Sequence, residues 1–301
     1  MIEVERIAAL PGHQNPIYTV ESSKKPGIFF TAGNDKGVVE WSLKKLEFIK
    51  VLVPVKTSVY SLHTTENLPY LIIGERSGQV SVFDLAEQKI IAVLMHHRLP
   101  IFGITSTKRK NELIVSSEDG TVSIWNLNTF GLLFKFSVSP DMVRCITINP
   151  EESLIAFGAK DNLISVYNLE DYSFIKKINY HTLPVTSLTF CPDGKYLISG
   201  GRDAKLNIWT LPDFSLSESI TAHMFAVYDI KFHSTKPYFA TCSRDKSIKI
   251  WHAETFKLHK NISREKGIES HSLSVNKICW NEDKLISVGD DKMVMIWEVE
   301  F

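Results

Sequence analysis

Arg202-Asp203-Ala204-Lys205-Leu206-Asn207-Ile208-Trp209-Thr210-Leu211 is one of seven versions of a phrase that recurs along this chain. The others run NDKGVVEWSL from Asn34, RSGQVSVFDL from Arg76, EDGTVSIWNL from Glu118, KDNLISVYNL from Lys160, RDKSIKIWHA from Arg244 and DDKMVMIWEV from Asp290. Each opens on turn-forming residues and continues into a short run in which apolar side chains alternate, as at Leu206 and Ile208 ahead of Trp209. Alternation puts successive side chains on opposite faces of an extended chain, and no segment sustains the roughly 3.6-residue period of a helix. The phrase therefore predicts a tight turn leading into a β-strand, repeated along the chain.

The aromatic residue near the end of each phrase is Trp41, Phe83, Trp125, Tyr167, Trp209, Trp251 and Trp297, spaced by 42 residues five times and by 46 at the last step. This falls in or near the period of about 40 to 45 residues that belongs to four-stranded propeller blades, and seven such units account for the full length. In the fifth repeat LPVTSLTF, KYLISGG and KLNIWTL read as strands separated by the CPDG turn and by Arg202 to Lys205, with an outer strand near Ser215 to Ile220. Such a sheet cannot bury its faces alone and is stabilised by stacking on its neighbours. The expected fold is all-β, a seven-bladed β-propeller of four-stranded antiparallel blades forming a single domain over residues 1–301. Only four residues follow Trp297, too few for an outer strand in blade seven. Val4 to Ala9 precede His13 at the offset at which each outer strand precedes the next blade, so the N-terminal strand, about residues 4–9, is expected to complete blade seven and pair its open edge.

Composition sets the function classes. The chain is 44% hydrophobic and 23% charged, with 34 basic residues against 34 acidic ones. A net charge of zero gives no global attraction to nucleic acid or anionic membrane and leaves only local patches to act electrostatically. MIEVERIAALPGH has acidic residues where a signal peptide needs basic ones, and no stretch approaches ~18 apolar residues, so a cytoplasmic chain with no membrane partner is expected. Cys145, Cys191, Cys242 and Cys279 lie apart in strand-like runs without CxxC spacing and read as buried free thiols, so no metal or cofactor is expected.

A second pattern overlies the first. A histidine stands 28 residues before Trp41, Trp125, Trp209 and Trp251, at His13, His97, His181 and His223, and His271 stands 26 before Trp297. Asp35, Asp119, Asp203, Asp245 and Asp291 precede the tryptophans by six, and Thr31, Ser199, Thr241 and Ser287 supply a hydroxyl four residues earlier. The arrangement resembles the structural tetrad of the WD-repeat family. That resemblance implies a buried chain of hydrogen bonds through indole, hydroxyl, imidazole and carboxylate, which satisfies each polar group and fixes the blade. Histidine, aspartate and serine also spell a hydrolase triad, but a nucleophile needs one exposed and activated site, whereas this set recurs in blades one, five, six and seven. Blade two has Val55 and Ser77 at the histidine and aspartate positions, and blade four has Ser139 and Phe157 for histidine and hydroxyl, so apolar packing is expected there.

The family resemblance further implies a top face, onto which the fifth residue after each histidine projects: Tyr18, Tyr60, Phe102, Arg144, Thr186, Tyr228 and Asn276. The residue before each turn aspartate joins them: Asn34, Arg76, Glu118, Lys160, Arg202, Arg244 and Asp290. Tyrosine and arginine dominate interaction hot spots, so Tyr18, Tyr60, Arg76, Phe102, Arg144, Lys160, Arg202, Tyr228 and Arg244 are the candidate partner-binding residues, with an acidic or phosphorylated peptide as the natural ligand. The expected function is a noncatalytic protein-interaction scaffold, a monomeric propeller working within a larger complex. The alternative is an enzyme or small-ligand binder using the central channel, which needs converging carboxylates, histidines or a metal; the sequence has no HExxH and no P-loop, and the His96-His97 pair is expected to point apart. Nucleic-acid binding through the basic rim residues ranks lower because Glu118 and Asp290 interrupt them. The longer last spacing places an insertion at roughly Ser263 to Glu269, between blades six and seven, where it is expected to overhang the top face.

Overall fold

Strand pairing follows the alternation read from the repeated phrase. In the computed structural model, which describes residues 2–301, blade five consists of Val185–Phe190, Tyr196–Gly201, Lys205–Thr210 and Ser215–Thr221, paired antiparallel in that order. Leu197 stands opposite Trp209 and Ser199 opposite Asn207, so both the apolar contacts and the tetrad hydroxyl are set by register. The turn before the third strand puts one residue of every repeat in the left-handed region: Lys36, Gly78, Gly120, Asn162, Ala204, Lys246 and Lys292. Only two of these are glycine, so the other blades hold a side chain in a backbone conformation that costs about 1 kcal/mol. Packing around the turn fixes that conformation where local propensity does not.

The same order recurs from first to outer strand in the remaining blades. Blade one runs from Ile17–Ser22 to Glu47–Pro54, blade two from Val59–Thr64 to Lys89–Met95 and blade three from Ile101–Ser106 to Leu132–Ser137. Blade four runs from Val143–Ile148 to Phe174–Asn179 and blade six from Val227–Phe232 to Leu258–Ile262. Blade seven takes Val275–Asn281, Lys284–Gly289 and Val294–Glu300 from the end of the chain and Glu3–Leu10 from its start. Glu3 pairs with Glu300 and Leu10 with Val294, with one register slip between Arg6 and Ala8. The chain is thus an all-β seven-bladed propeller whose last blade is completed by the N-terminal strand.

Two compact units divide the packing: Met1–Val59 together with Ala222–Phe301, and Tyr60–Thr221. In each, the core lies between adjacent blades. In the first unit Ile17, Phe29 and Trp41 of blade one pack on Ile286, Val288 and Ile296 of blade seven. In the second, Val185, Leu188 and Trp209 of blade five pack on Ala156, Ile164 and Val166 of blade four. Burying each large apolar side chain stabilises the fold by about 1.5–3 kcal/mol, so a blade owes much of its stability to its neighbour.

The insertion between blades six and seven is tied down. Arg264–Lys266 form one 3-10 turn, Ile268 packs on the core cluster of blades six and seven, Arg264 Nε donates to the Ser270 carbonyl, and Arg6 forms an ion pair with Glu269 at 2.5 Å.

Candidate interaction surface

The tetrads are complete as read. In blade five Trp209 Nε1 donates to Ser199 Oγ at 2.9 Å, Ser199 Oγ lies 2.8 Å from His181 Nε2, and His181 Nδ1 lies 2.9 Å from Asp203 Oδ2. The indole can only donate and the carboxylate only accept, which fixes the rest: the hydroxyl donates to Nε2, and Nδ1 carries the proton given to the aspartate. The same chain runs through Trp41, Thr31, His13 and Asp35, through Trp251, Thr241, His223 and Asp245, and through Trp297, Ser287, His271 and Asp291. Burial opposes the charged form of Asp203, Asp245 and Asp291, but hydrogen bonds from their histidines and from backbone N–H groups hold all three below the ordinary carboxylate range. Burial also lowers His13 and His223 against the opposing pull of Asp35 and Asp245. Thr31, Ser199, Thr241 and Ser287 are fully buried with their oxygens already bonded to indole N–H, an arrangement that locks a hydroxyl and does not present a nucleophile.

Sequence reasoning missed a fifth tetrad. In blade three Trp125 Nε1 and His97 Nε2 meet at Ser123 Oγ, at 2.9 and 2.8 Å, and His97 Nδ1 reaches Asp119 at 2.8 Å. Blade two corrects the expectation of purely apolar packing: Gln79 Nε2 donates to the buried Glu75 at 2.9 Å and to Ser81 Oγ at 3.0 Å. Blade four does pack aromatically, with Phe157 edge-on to Tyr167 at 5.7 Å, yet Ser139 still donates to Asp161 at 2.7 Å. His96 and His97 do not point apart; their rings meet edge-on at 4.9 Å, because both lie in the loop between strands and not in a strand.

The residues carried over as a top-face set share a backbone feature. Between the first and second strands, register slips by one residue at Tyr18, Phe102, Arg144, Thr186, Tyr228 and Asn276. Each is the extra residue of a β-bulge, passed over by the strand register and turned out of its alternation. Tyr60 has the same place in the first strand of blade two. Within the Tyr60–Thr221 unit three of them form a row. The Tyr60 and Phe102 rings lie 5.1 Å apart, and the Arg144 guanidinium sits 5.3 Å from the Phe102 ring centre. The cation–π contact fixes Arg144 over an aromatic face while leaving it half-buried.

A family model described as WD domain, G-beta repeat matches residues 88–126, 172–210, 214–252 and 263–298. The chain belongs to the WD-repeat family. The matched segments end just past Trp125, Trp209, Trp251 and Trp297, and the repeated phrases of blades one, two and four, which end at Leu43, Leu85 and Leu169, fall outside them. No curated protein matches the chain. WD-repeat propellers generally serve as platforms for protein partners, and among the described residues no helix is long and apolar enough to cross a membrane.

The other expected positions of this WD-repeat chain divide by environment. Arg76 and Arg202 are exposed, and exposed Lys160 approaches Asp141 at 3.7 Å. In the other unit Arg244 stands 5.9 Å from the Phe225 ring, Tyr228 packs against the core of blades six and seven, and Asn276 donates to Asp290. Thr186 is buried, donating to the Gly200 carbonyl at 3.1 Å, and contributes no surface. Sequence reasoning also overlooked the second residue after the histidine, which is an exposed apolar side chain at Leu99, Leu183, Phe225 and Leu273. The signal was available, since one offset gives a large apolar residue in four repeats.

Proposed function

We propose that this WD-repeat chain is a noncatalytic cytoplasmic scaffold, a single-domain monomer within a larger complex, whose Tyr60–Thr221 unit receives an acidic or phosphorylated peptide on its rim. The observation that carries this reading is the row Tyr60, Phe102 and Arg144, in which two rings in tilted contact and a guanidinium come from successive blades. Aromatic side chains offer rigid contact area, and a guanidinium pre-oriented on a ring can grip a carboxylate or phosphate through two parallel N–H groups. Arg76 and Arg202 supply further positive charge, while exposed Leu99 and Leu183 supply apolar contact. The test is fluorescence anisotropy with acidic and phosphorylated peptides, comparing the wild type with a Phe102→Ala, Arg144→Ala variant whose melting is unchanged. At least tenfold weaker binding in the variant is expected. Equal affinities would remove this row from the interface. Salt-sensitive binding of oligonucleotides in place of peptides would favour a nucleic-acid role.

A further inference from the structure

We propose that the outer edge of blade three is a second docking surface, which accepts an extended, alternately acidic and apolar segment of a partner protein as an added fifth strand. Leu132–Ser137 is the last strand of its sheet and pairs on one side only, with Thr121–Asn126. Its outward N–H and C=O groups form a template for another strand. The side chains along it are Leu-Leu-Phe-Lys-Phe-Ser, with Leu133 exposed to 42% and Phe134 to 60%. The outer strand of blade four continues the character, with Phe174 exposed to 56% and Lys176 and Lys177 as its only charges.

Two other edges of the same fold are more polar. Blade seven ends on Glu3–Leu10, which carries Glu3, Glu5 and Arg6, and blade five on Ser215–Thr221, which is mostly polar and carries Glu218. Exposed edges are ordinarily blunted by charge, proline or irregularity. On blade three the register slips once, at Leu133, and Phe134 to Ser137 pair regularly with Phe134 opposite Ile124. Phe134 also rests on a prepared base: its ring lies 6.2 Å from that of Tyr172, whose hydroxyl is bonded to Glu112 and whose ring carries Lys110 at 5.2 Å.

Charge selects the occupant. The outer strands of blades three and four carry Lys135, Lys176 and Lys177 and no acidic residue. A second copy of the chain would bring lysines against lysines, whereas an acidic strand brings opposite charges across the new pair. A lipid surface would leave the open backbone groups without partners in an apolar medium, which an added strand satisfies.

The experiment is selection of displayed decapeptides on the immobilised full chain, followed by affinity measurement and hydrogen exchange with synthetic copies of the selected peptides. The expected result is that selected sequences alternate apolar and acidic residues, bind at least tenfold more weakly to Phe134→Ser and Lys135→Glu variants of unchanged melting, and slow exchange of the Leu132–Ser137 amides. Slowed exchange distinguishes strand addition from general adhesion to an apolar patch. The proposal is overturned if no peptide is selected, if selected peptides leave those amides unprotected, if sedimentation reveals a dimer abolished by Phe134→Ser, or if anionic phospholipid vesicles bind in a Phe134-dependent way.

Discussion

Val115 and Ser123 stand directly opposite each other across the second and third strands of blade three, and Ser123 carries the hydroxyl that blades one, five, six and seven place on the second strand. Thr31 opposite Val39, Ser199 opposite Asn207, Thr241 opposite Lys249 and Ser287 opposite Met295 show the commoner arrangement. A directly opposed pair brings the two side chains to about 5 Å, so the hydroxyl oxygen can be reached from either strand. The tetrad constrains where an oxygen lies and tolerates either strand as its source.

Replacing Ser123 by Ala should therefore cost about 1–3 kcal/mol, because the Trp125 indole and the His97 imidazole both lose their buried partner. A Val115→Ser, Ser123→Ala double variant should recover part of that loss by returning the hydroxyl to the opposite strand. Urea denaturation of the wild type and both variants measures it; a double variant no more stable than Ser123→Ala would mean that the two positions are not interchangeable.

His181→Ala and Asp203→Ala should each lower stability by about 1–3 kcal/mol, and the double variant should fall short of the sum because both break one hydrogen-bonded chain. Unfolding curves for the two single variants and the double variant check this. Unchanged melting accompanied by loss of a hydrolytic activity would overturn the structural role of the tetrad.

The blade pattern was legible because a repeated phrase exposes alternation, turn position and period together. The strands expected in the fifth repeat match those observed to within two residues at their ends, and the expected N-terminal strand is extended by one residue at each end, to Glu3–Leu10. The tetrad of blade three is not legible from one fixed spacing, because its hydroxyl comes from Ser123, two residues before Trp125 and on the same face of its strand. The polar set of Glu75, Gln79 and Ser81 in blade two follows no repeat, so only the fold brings it together. The contacts of Arg144 with Phe102 and of Arg244 with Phe225 depend on bulge and loop geometry, which single-sequence periodicity does not encode.

Stability should fall as the solution is acidified, in two stages. Burial lowers His13 and His223, so the native state keeps them neutral after the unfolded chain has begun to take up protons near pH ~6.5. The unfolded state then binds more protons, and stability declines as pH drops from about 6.5 towards the native histidine values. Asp203, Asp245 and Asp291, held low by their histidines, contribute stability above about pH 3.9 that is lost as pH falls through their native values. Thermal melts from pH 8 to pH 3 should show a plateau, a decline beginning near 6.5 and a steeper one below about 4, with His223→Asn reducing the first decline. A melting temperature that rises between pH 7 and 5.5 would contradict this account.

Glu3–Leu10 joins the first residues of the chain to the last blade, and its removal should destabilise more than its length suggests. Both faces of the strand are used: Val4 and Ala9 pack on the core of blades six and seven, and Ile7, Ala8 and Leu10 pack on that of blades seven and one. Deleting residues 2–10 would strip those contacts, remove the Arg6 to Glu269 ion pair and leave Val294–Glu300 as an open edge beside the buried Trp297. A loss of roughly 3–5 kcal/mol corresponds to a fall of about 10 °C in Tm, with greater aggregation from the exposed edge. A synthetic peptide of residues 1–12 should bind that edge and raise the Tm of the truncated chain in proportion to the logarithm of its concentration, whereas a scrambled peptide should not. A truncated chain that melts like the full one would mean that blade seven does not depend on its N-terminal strand, and the closure would then contribute little to stability despite the observed pairing.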